Sequence, residues 1–135
     1  MPSGLSNLRV MVVDDEAFVR EILRRMQASM EIHMVDEAND GGSALKLMEK
    51  SCPDMMILDL VMEPVGGVEI LRRMRAHAIE AIRKLKVIVL TLNPNEVPPS
   101  ELMPLGIEAY LIKPVAPEIL RTRIEEAVGL EGVIR

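Results

Sequence analysis

The stretch PDMMILDL (residues 53–60) decides the fold that this sequence predicts. Its apolar residues form a short, nearly continuous run, which is typical of a strand buried on both faces in a parallel sheet. The run reaches a single acid, Asp59, and then continues with Leu60. An ionised carboxylate is costly to bury without a partner. Asp59 therefore either caps a neighbouring element or meets polar groups from other parts of the chain.

Outward from this stretch, short apolar runs alternate with amphipathic ones. Strands are predicted at 8–15, 31–38, 53–60, 86–91 and 108–114, and helices at 17–28, 43–50, 67–84 and 116–128. This alternation predicts an α/β fold of the (βα)₅ type, with a doubly wound parallel five-stranded sheet. The remaining helix, fourth in that scheme, falls within 93–106, which contains four prolines. It should therefore be short, running for about one turn from Pro98 or Pro99 through Leu102, after an irregular loop.

The composition fits one globular domain. The 135 residues, 49% hydrophobic and 27% charged, predict a single domain over 1–135 with its core at about 8–128. A net charge of −5 argues against nonspecific nucleic-acid binding. No apolar run approaches the roughly 20 residues that cross a bilayer. A single cysteine, Cys52, and an N-terminus unlike a signal peptide predict a cytoplasmic location.

Polar residues stand where the predicted strands end. In a doubly wound sheet the functional crevice lies outside the carboxyl ends of the strands. The residues placed there are Asp14, Asp15, Asp59, Thr91 and Lys113. Three carboxylates in one place repel one another, and a divalent cation relieves that repulsion; oxygen ligands suit Mg²⁺. With a lysine and a threonine as donors, this set is suited to phosphoryl transfer onto an aspartate, with Asp59 as the nucleophile.

Each of these residues also has an ordinary structural interpretation. Asp14 and Asp15 are placed to cap the following helix. Taken alone, Lys113 reads as a surface lysine and Thr91 as a plain strand end. The joint placement of all of them at one edge of the sheet favours the functional interpretation. The three arginines of the first helix are interpreted as a solvated face: Arg20, Arg24 and Arg25.

The sequence resembles the receiver domain of two-component response regulators, a flavodoxin-like fold, over roughly residues 8–128. The matching motifs, in order, are VVDDE (12–16), ANDGGSAL (38–45), PDMMILD (53–59), Gly67, VIVLT (87–91) and YLIKP (110–114). The resemblance implies a stand-alone receiver that accepts a phosphoryl group on Asp59 from a histidine kinase or a histidine phosphotransfer protein. It would signal to a downstream protein, contact neither nucleic acid nor membrane, and catalyse only its own phosphorylation and dephosphorylation.

The resemblance also implies roles for seven residues around the predicted pocket. Four would hold Mg²⁺: Asp15 and Asp59 directly, Val61 through its backbone carbonyl, and Asp14 mostly through water. Three would respond to phosphorylation: Thr91 by closing on the phosphoryl group, Lys113 by contacting it, and Tyr110 by turning inward when the threonine moves. The first helix borders this pocket, so docking of the kinase is the alternative interpretation of its arginines.

Other functions fit the sequence less well. An aspartate-nucleophile phosphatase of the haloacid dehalogenase type would need an acid where Val61 stands, and a flavin carrier would not place the acidic DDEAF (14–18) after its first strand. A receiver-like docking domain that no longer depends on phosphorylation stays open as an alternative. The sequence departs from the usual receiver pattern at Glu63, where proline is usual, and at Leu92, where a small residue is usual.

Overall fold

A computed structural model describes residues 4–129 and shows one parallel sheet. Its strands are β1 (Arg9–Val13), β2 (Met34–Ala38), β3 (Met55–Asp59), β4 (Lys86–Thr91) and β5 (Ala109–Ile112). Their order in the sheet is β2-β1-β3-β4-β5, and every neighbouring pair is parallel. The predicted (βα)₅ doubly wound fold is therefore confirmed. The strands are shorter than the predicted ranges except β4, whose bounds agree.

The helices cover both faces of the sheet. They are α1 (Ala17–Ser29), α2 (Gly41–Ser51), α3 (Gly67–Arg75), α4 (Glu80–Arg83), α5 (Pro99–Leu102) and α6 (Pro117–Val128), with a 3₁₀ turn at Met103–Leu105. Alternate residues of the central strands enter two separate cores, because successive side chains of a strand point to opposite faces. One core packs against α2, α3 and α5, and the other packs against α1 and α6.

The middle strands are the most buried elements of the fold. All five residues of β3 are buried, and in β4 only the first residue, Lys86, is exposed. The edge strand β5 is half-buried, and its last residue, Ile112, is 52% exposed. The central position of β3 explains the apolar run that precedes Asp59, since both faces of that strand are covered by helices.

The prolines shorten the helix before β5 as predicted. Helix α5 spans only Pro99–Leu102, with Pro98 as its N-cap and Pro99 at its first position, where a missing amide donor matters least. Leu102 is fully buried and anchors this turn in the core. The 3₁₀ turn continues the segment until Gly106, whose φ of 69° lies in the left-handed region that favours glycine. Residues 92–98 form the expected irregular loop.

The helix predicted over 67–84 is wrong in its second half. Helix α3 ends at Arg75, and a separate four-residue helix, α4, follows after residues 76–79. Side chains take up the backbone groups at this break: the His77 ring accepts from the Ile79 N–H at 3.0 Å, and the Arg83 guanidinium donates to the His77 carbonyl at 3.0 Å. Such local hydrogen bonds compete with those of a continuous helix.

The Arg75 side chain connects the end of α4 and the residues that follow it to the segment before β5. The Arg75 guanidinium donates to four main-chain carbonyls, those of Arg83 (3.0 Å), Leu85 (2.8 Å), Leu105 (2.7 Å) and Gly106 (2.7 Å). Burial lowers the pKa of Arg75, although the charge of Glu108 opposes this effect. Arg75 therefore holds two irregular chain segments together with hydrogen bonds from one charged group.

Within residues 4–129, no helix has the length and apolar character that a membrane crossing requires.

Candidate functional site

The carboxyl ends of four strands meet at one edge of the sheet. Asp14 directly follows β1, Asp59 ends β3, Thr91 ends β4, and Lys113 directly follows β5. Asp14, Asp59 and Thr91 are buried, with 1%, 5% and 0% of their surfaces exposed. The parallel arrangement thus brings these polar residues to the same edge, although Asp14 and Lys113 are 99 positions apart in the sequence.

Lys113 lies between two of the carboxylates. Its Nζ is 2.8 Å from Asp14 Oδ2 and 3.4 Å from Asp59 Oδ1. Burial alone would lower the pKa of Lys113, but the hydrogen bond to Asp14 and the charges of Asp14 and Asp59 outweigh burial and raise it. The second Asp14 oxygen, Oδ1, accepts from the Glu16 N–H at 2.9 Å. Lys113 is therefore charged at neutral pH and compensates part of the negative charge at this edge.

The carboxylates lie close enough together to share a cation. One oxygen from each of Asp14, Asp15 and Asp59 falls within 4.8 Å of the others, and Asp15 is exposed to solvent. Carboxylate oxygens that leave room for water are the ligands that Mg²⁺ prefers. The donor set therefore fits Mg²⁺. Val61 donates its N–H to Asp59 Oδ1 at 3.4 Å, and the role of its carbonyl stays a prediction.

These groups open onto a cavity of about 460 Å³, which we call the acidic pocket. Its lining residues are Asp15, Glu16, Asp59, Val61, Leu92, Asn93, Glu96 and Lys113. Four carboxylates and a single ammonium among the lining residues make the pocket attractive to cations. Sequence reasoning missed Glu16 and Glu96. Glu16 directly follows the acid pair, which is a weak signal, and Glu96 lies in the irregular loop, where no periodic pattern places a side chain.

Thr91 and Tyr110 are bound to the loop between β4 and α5. The Thr91 hydroxyl donates to the Asn93 carbonyl at 3.3 Å. The Tyr110 hydroxyl donates to the Val97 carbonyl at 2.7 Å and lies 3.4 Å from the Pro94 carbonyl, while its ring packs against the core. Neither residue lines the acidic pocket. Both predicted switch residues therefore contact the same five-residue segment of the loop.

A glycine allows helix α3 to approach Asp59 closely. A Cβ at Gly67 would lie 2.7 Å from the Asp59 carbonyl oxygen and 2.8 Å from the Leu60 Cα, which is closer than real Cβ atoms come. The Gly67 N–H also donates to the Leu60 carbonyl at 3.0 Å. Any larger residue would displace the main chain that carries Asp59. This contact gives a physical reason for the glycine that the sequence motif contains.

An apolar groove adjoins the acidic pocket. This groove, of about 300 Å³, lies between α1 and the segment after β5 and is lined by Glu16, Phe18, Val19, Ile22, Leu23, Met26, Leu90, Leu92, Lys113, Pro114 and Val115. Phe18 and Leu92, two large apolar side chains that line this groove, are each 72% exposed. Glu16, Leu92 and Lys113 line both cavities, so the groove and the pocket share one rim.

The interpretation of the α1 arginines as a solvated face is wrong for Arg20. Its side chain is only 16% exposed, whereas those of Arg24 and Arg25 are 49% and 77% exposed. Arg20 contacts Glu37 at the end of β2 and the main chain of Asp14. This contact could not be predicted from the sequence, because only the fold shows that Glu37 of β2 lies beside α1.

The environment of Asp59 raises its pKa to about 6. Burial is the largest cause, and the nearby charge of Asp14 adds to it; the Lys113 charge acts in the opposite direction. The ionised form of Asp59 is therefore less stable in the folded protein than in the unfolded chain. A bound cation would stabilise this ionised carboxylate.

The substitution Asp59→Asn should therefore stabilise the metal-free protein at neutral pH. Because the folded-state pKa is raised, ionisation costs stability as pH rises from 3.8 to about 6, and the full cost is present above that range. The difference between these two pKa values corresponds to a free energy of at most about 3 kcal/mol. Water at the pocket mouth screens part of this, so we expect a gain of about 1 to 2 kcal/mol at pH 7.5.

Urea unfolding with a chelator present, at pH 7.5 and at pH 4, measures this gain. The gain should shrink towards zero at pH 4, where Asp59 of the folded wild-type chain is protonated and, like the amide of the variant, carries no charge. Asp54→Asn is the control, since that exposed carboxylate accepts from the Arg9 N–H and an amide oxygen can do the same. Its effect should stay within about 0.5 kcal/mol. Destabilisation by Asp59→Asn at pH 7.5 would contradict the electrostatic account of the pocket.

Comparison with known families supports the sequence resemblance. Residues 10–125 match the model of the response regulator receiver domain. The chain is 35% identical over 117 residues to response regulator MprA of Mycobacterium leprae, covering 87% of this chain and 49% of MprA. It therefore spans about half the length of that relative. It is also 25% identical over 120 residues to chemotaxis protein CheY-3 of Vibrio cholerae, covering 89% and 91% of the two chains.

Solved structures share the fold. A putative response regulator from Chloroflexus aurantiacus has a TM-score of 0.82 at 25% identity, over 90% of this chain and 98% of that one. The receiver domain of sensor histidine kinase PA1611 from Pseudomonas aeruginosa has a TM-score of 0.80 at 23% identity, over 90% and 98%. That second structure has a magnesium ion coordinated in its active site cleft.

Proposed function

The chain belongs to the response regulator receiver domain family, and on that premise we propose that it accepts a phosphoryl group on Asp59 from a histidine kinase or a histidine phosphotransfer protein. The observation that carries the proposal is the position of Asp59. Its carboxylate lies at the end of the central strand, 3.4 Å from Lys113 Nζ, and lines a cavity that opens to solvent. A nucleophile, a fixed positive charge and access for a donor are therefore present together.

The transfer follows from this arrangement. An Asp59 carboxylate oxygen attacks the donor phosphorus, an O–P bond forms, and the P–N bond to the donor histidine breaks with its electron pair moving onto the imidazole nitrogen. The product is an acyl phosphate on Asp59, and its hydrolysis releases inorganic phosphate and restores the carboxylate. Lys113 stabilises the charge on the phosphoryl oxygens, as positioned cations do in phosphoryl transfer.

The same site would hold Mg²⁺. Asp15 and Asp59 would bind it directly with the Val61 carbonyl, and Asp14 would act mostly through water. When bound, the ion neutralises charge on the carboxylates and on the incoming phosphoryl oxygens. The clustering of the three carboxylates supports this assignment, and so does the magnesium ion in the PA1611 receiver domain.

Phosphorylation would be transmitted through the loop between β4 and α5. A phosphoryl group on Asp59 attracts the Thr91 hydroxyl, which then leaves the Asn93 carbonyl that it binds in the structure. The loop that Asn93 belongs to is also bound by Tyr110, through the Val97 carbonyl. Movement of Thr91 and rearrangement of Tyr110 are thereby coupled, and the altered surface would bind a downstream protein.

The apolar groove supports a protein as the natural donor. A phosphohistidine can reach Asp59 only if its own protein contacts the pocket rim, which the groove shares. Phe18 lines that groove and is exposed to solvent. A partner helix with apolar side chains would bury it, and aromatic side chains at interfaces often carry much of the binding energy.

We therefore expect Phe18→Ala to slow transfer from a protein donor by about 10-fold, the effect of losing one well-packed aromatic contact. The measurement uses whichever histidine kinase of the host phosphorylates the wild-type chain fastest. Transfer from acetyl phosphate should be unchanged, because this small donor needs no groove. Ile79→Ala is the matched control, since Ile79 is exposed but lies at the break between α3 and α4. An equal loss with both donors would contradict a docking role for Phe18.

Incubation with acetyl phosphate and Mg²⁺ tests the proposed function. Intact-mass spectrometry should show one added phosphoryl group, which disappears with a chelator and in Asp59→Asn. The amide of asparagine is a poor nucleophile and lacks the charge that holds the metal. If the wild-type chain stays unmodified with acetyl phosphate and with every host kinase, the alternative of a docking domain that does not depend on phosphorylation replaces the proposal.

A further inference from the structure

We propose that Arg20 is a positioning residue for the acid pair at the pocket, acting through the main chain of Asp14; this inference rests on the metal site of the proposed function. Arg20 is the fourth residue of α1 and lies close to the β1–α1 connection that carries Asp14 and Asp15. Its Nη1 donates to the Asp14 carbonyl at 2.6 Å, a short hydrogen bond from a charged donor. Sequence motifs assign no role to this arginine.

The Asp14 residue is held at each of its polar groups. Its N–H donates to the Ala38 carbonyl at 3.2 Å, which continues the pairing of β1 with β2. Its carboxylate accepts from the Glu16 N–H and from Lys113 Nζ. The Arg20 bond to the carbonyl fixes the peptide unit between Asp14 and Asp15. The direction in which exposed Asp15 leaves the main chain therefore depends on Arg20.

Arg20 is itself oriented by an acid on β2. Its Nε lies 3.2 Å from Glu37 Oε1, and the other oxygen, Glu37 Oε2, is 2.6 Å from Nη1 of Arg24. The planar guanidinium thus bridges Glu37 and the Asp14 carbonyl with separate nitrogens. A lysine has a single nitrogen and no planar fork. It could still donate to the Asp14 carbonyl, but Glu37 would not fix its orientation in the same way.

The sign of the effect distinguishes positioning from charge. Removing a positive charge near an acidic pocket should, by electrostatics alone, strengthen cation binding. Loss of positioning should weaken it, because metal ligands held by outer hydrogen bonds lose about 10-fold or more in affinity when those bonds are removed. We therefore expect Arg20→Gln to bind Mn²⁺ about 10-fold more weakly than the wild-type chain.

The experiment titrates the metal alone. Electron paramagnetic resonance of free Mn²⁺ gives the dissociation constant for the wild-type chain, Arg20→Gln, Arg20→Lys and Glu37→Ala, while circular dichroism checks that each is folded. Arg20→Lys should recover part of the affinity, and Glu37→Ala should show a smaller loss than Arg20→Gln. Arg25→Ala is the control, because Arg25 is on the same helix but pairs with exposed Glu21 at 3.0 Å.

A folded Arg20→Gln that binds Mn²⁺ within about twofold of the wild type, or more tightly, would overturn the inference. So would an equal loss in Arg25→Ala. If Arg20→Gln does not fold, Arg20→Lys and Glu37→Ala carry the test, and unchanged affinity in both overturns it. Acetyl phosphate labelling of the wild-type chain is run alongside. A wild type that takes up no label from acetyl phosphate or from any host kinase, while Arg20→Gln still loses Mn²⁺ affinity, refutes the proposed function and leaves the positioning role standing.

Discussion

Replacing Arg75 with alanine is expected to lower the free energy of unfolding by about 2 to 4 kcal/mol, because hydrogen bonds from charged groups to partly buried acceptors are worth more than ordinary ones. The substitution removes the donor from four main-chain carbonyls in two separate segments. Solvent can reach some of these carbonyls and limits the loss. The end of α4 with the residues after it, and the 3₁₀ turn before β5, would then lose the side chain that bonds them both.

Urea unfolding at pH 7.5 measures this loss, and Arg72→Ala provides the matched control. Arg72 lies on the same helix, is 60% exposed, and approaches Glu69 only at 4.0 Å. Its replacement should change stability by less than about 0.5 kcal/mol. An Arg75→Ala protein as stable as Arg72→Ala would show that water replaces the arginine at these carbonyls.

Replacing Lys113 with methionine is expected to destabilise the metal-free protein by about 2 to 3 kcal/mol at neutral pH. Methionine keeps most of the length of the side chain but leaves Asp14 and Asp59 without their ammonium partner. Removing one member of a buried ion pair is strongly destabilising, since the remaining charge stays buried. The pocket is open to water, so the expected value lies below the full range for closed sites.

The sign of this change is opposite to that of Asp59→Asn, which removes a negative charge from the same cluster. Unfolding of Lys113→Met with and without Mg²⁺ provides the test, and added Mg²⁺ should recover more stability in this variant than in the wild type. Lys84→Met is the control, because Lys84 is 70% exposed and pairs with exposed Glu80. Equal stabilities of Lys113→Met and Lys84→Met would show that Lys113 does not compensate the buried acids.

The sequence predicted those features of the fold that depend on local pattern. The apolar run before Asp59 predicted the buried central strand, and the prolines of 93–106 predicted the one-turn helix at Pro99–Leu102. Both follow from the periodicity of apolar residues and from the missing amide donor of proline, which act over a few residues. The convergence of strand ends followed from the parallel topology, so Lys113 could be placed beside Asp14.

Features that depend on particular side-chain hydrogen bonds could not be predicted. Ala78 and Ile82 continue the apolar period of α3, yet the helix stops at Arg75, where side-chain hydrogen bonds to main-chain groups replace helical ones. The same applies to Arg20, whose partner Glu37 is on another element. Charged residues on a helix give no pattern that separates a solvated arginine from one that binds a main-chain carbonyl.

The position of the phosphoryl group tests the central claim most directly. The wild-type chain is incubated with acetyl phosphate and Mg²⁺, the acyl phosphate is reduced with borohydride, and the digested peptides are sequenced by mass spectrometry. Reduction converts a phosphorylated aspartate into homoserine, so the account predicts homoserine at position 59 and unchanged aspartate at positions 14, 15 and 54. Homoserine at another of these positions, with Asp59 unmodified, would contradict the account.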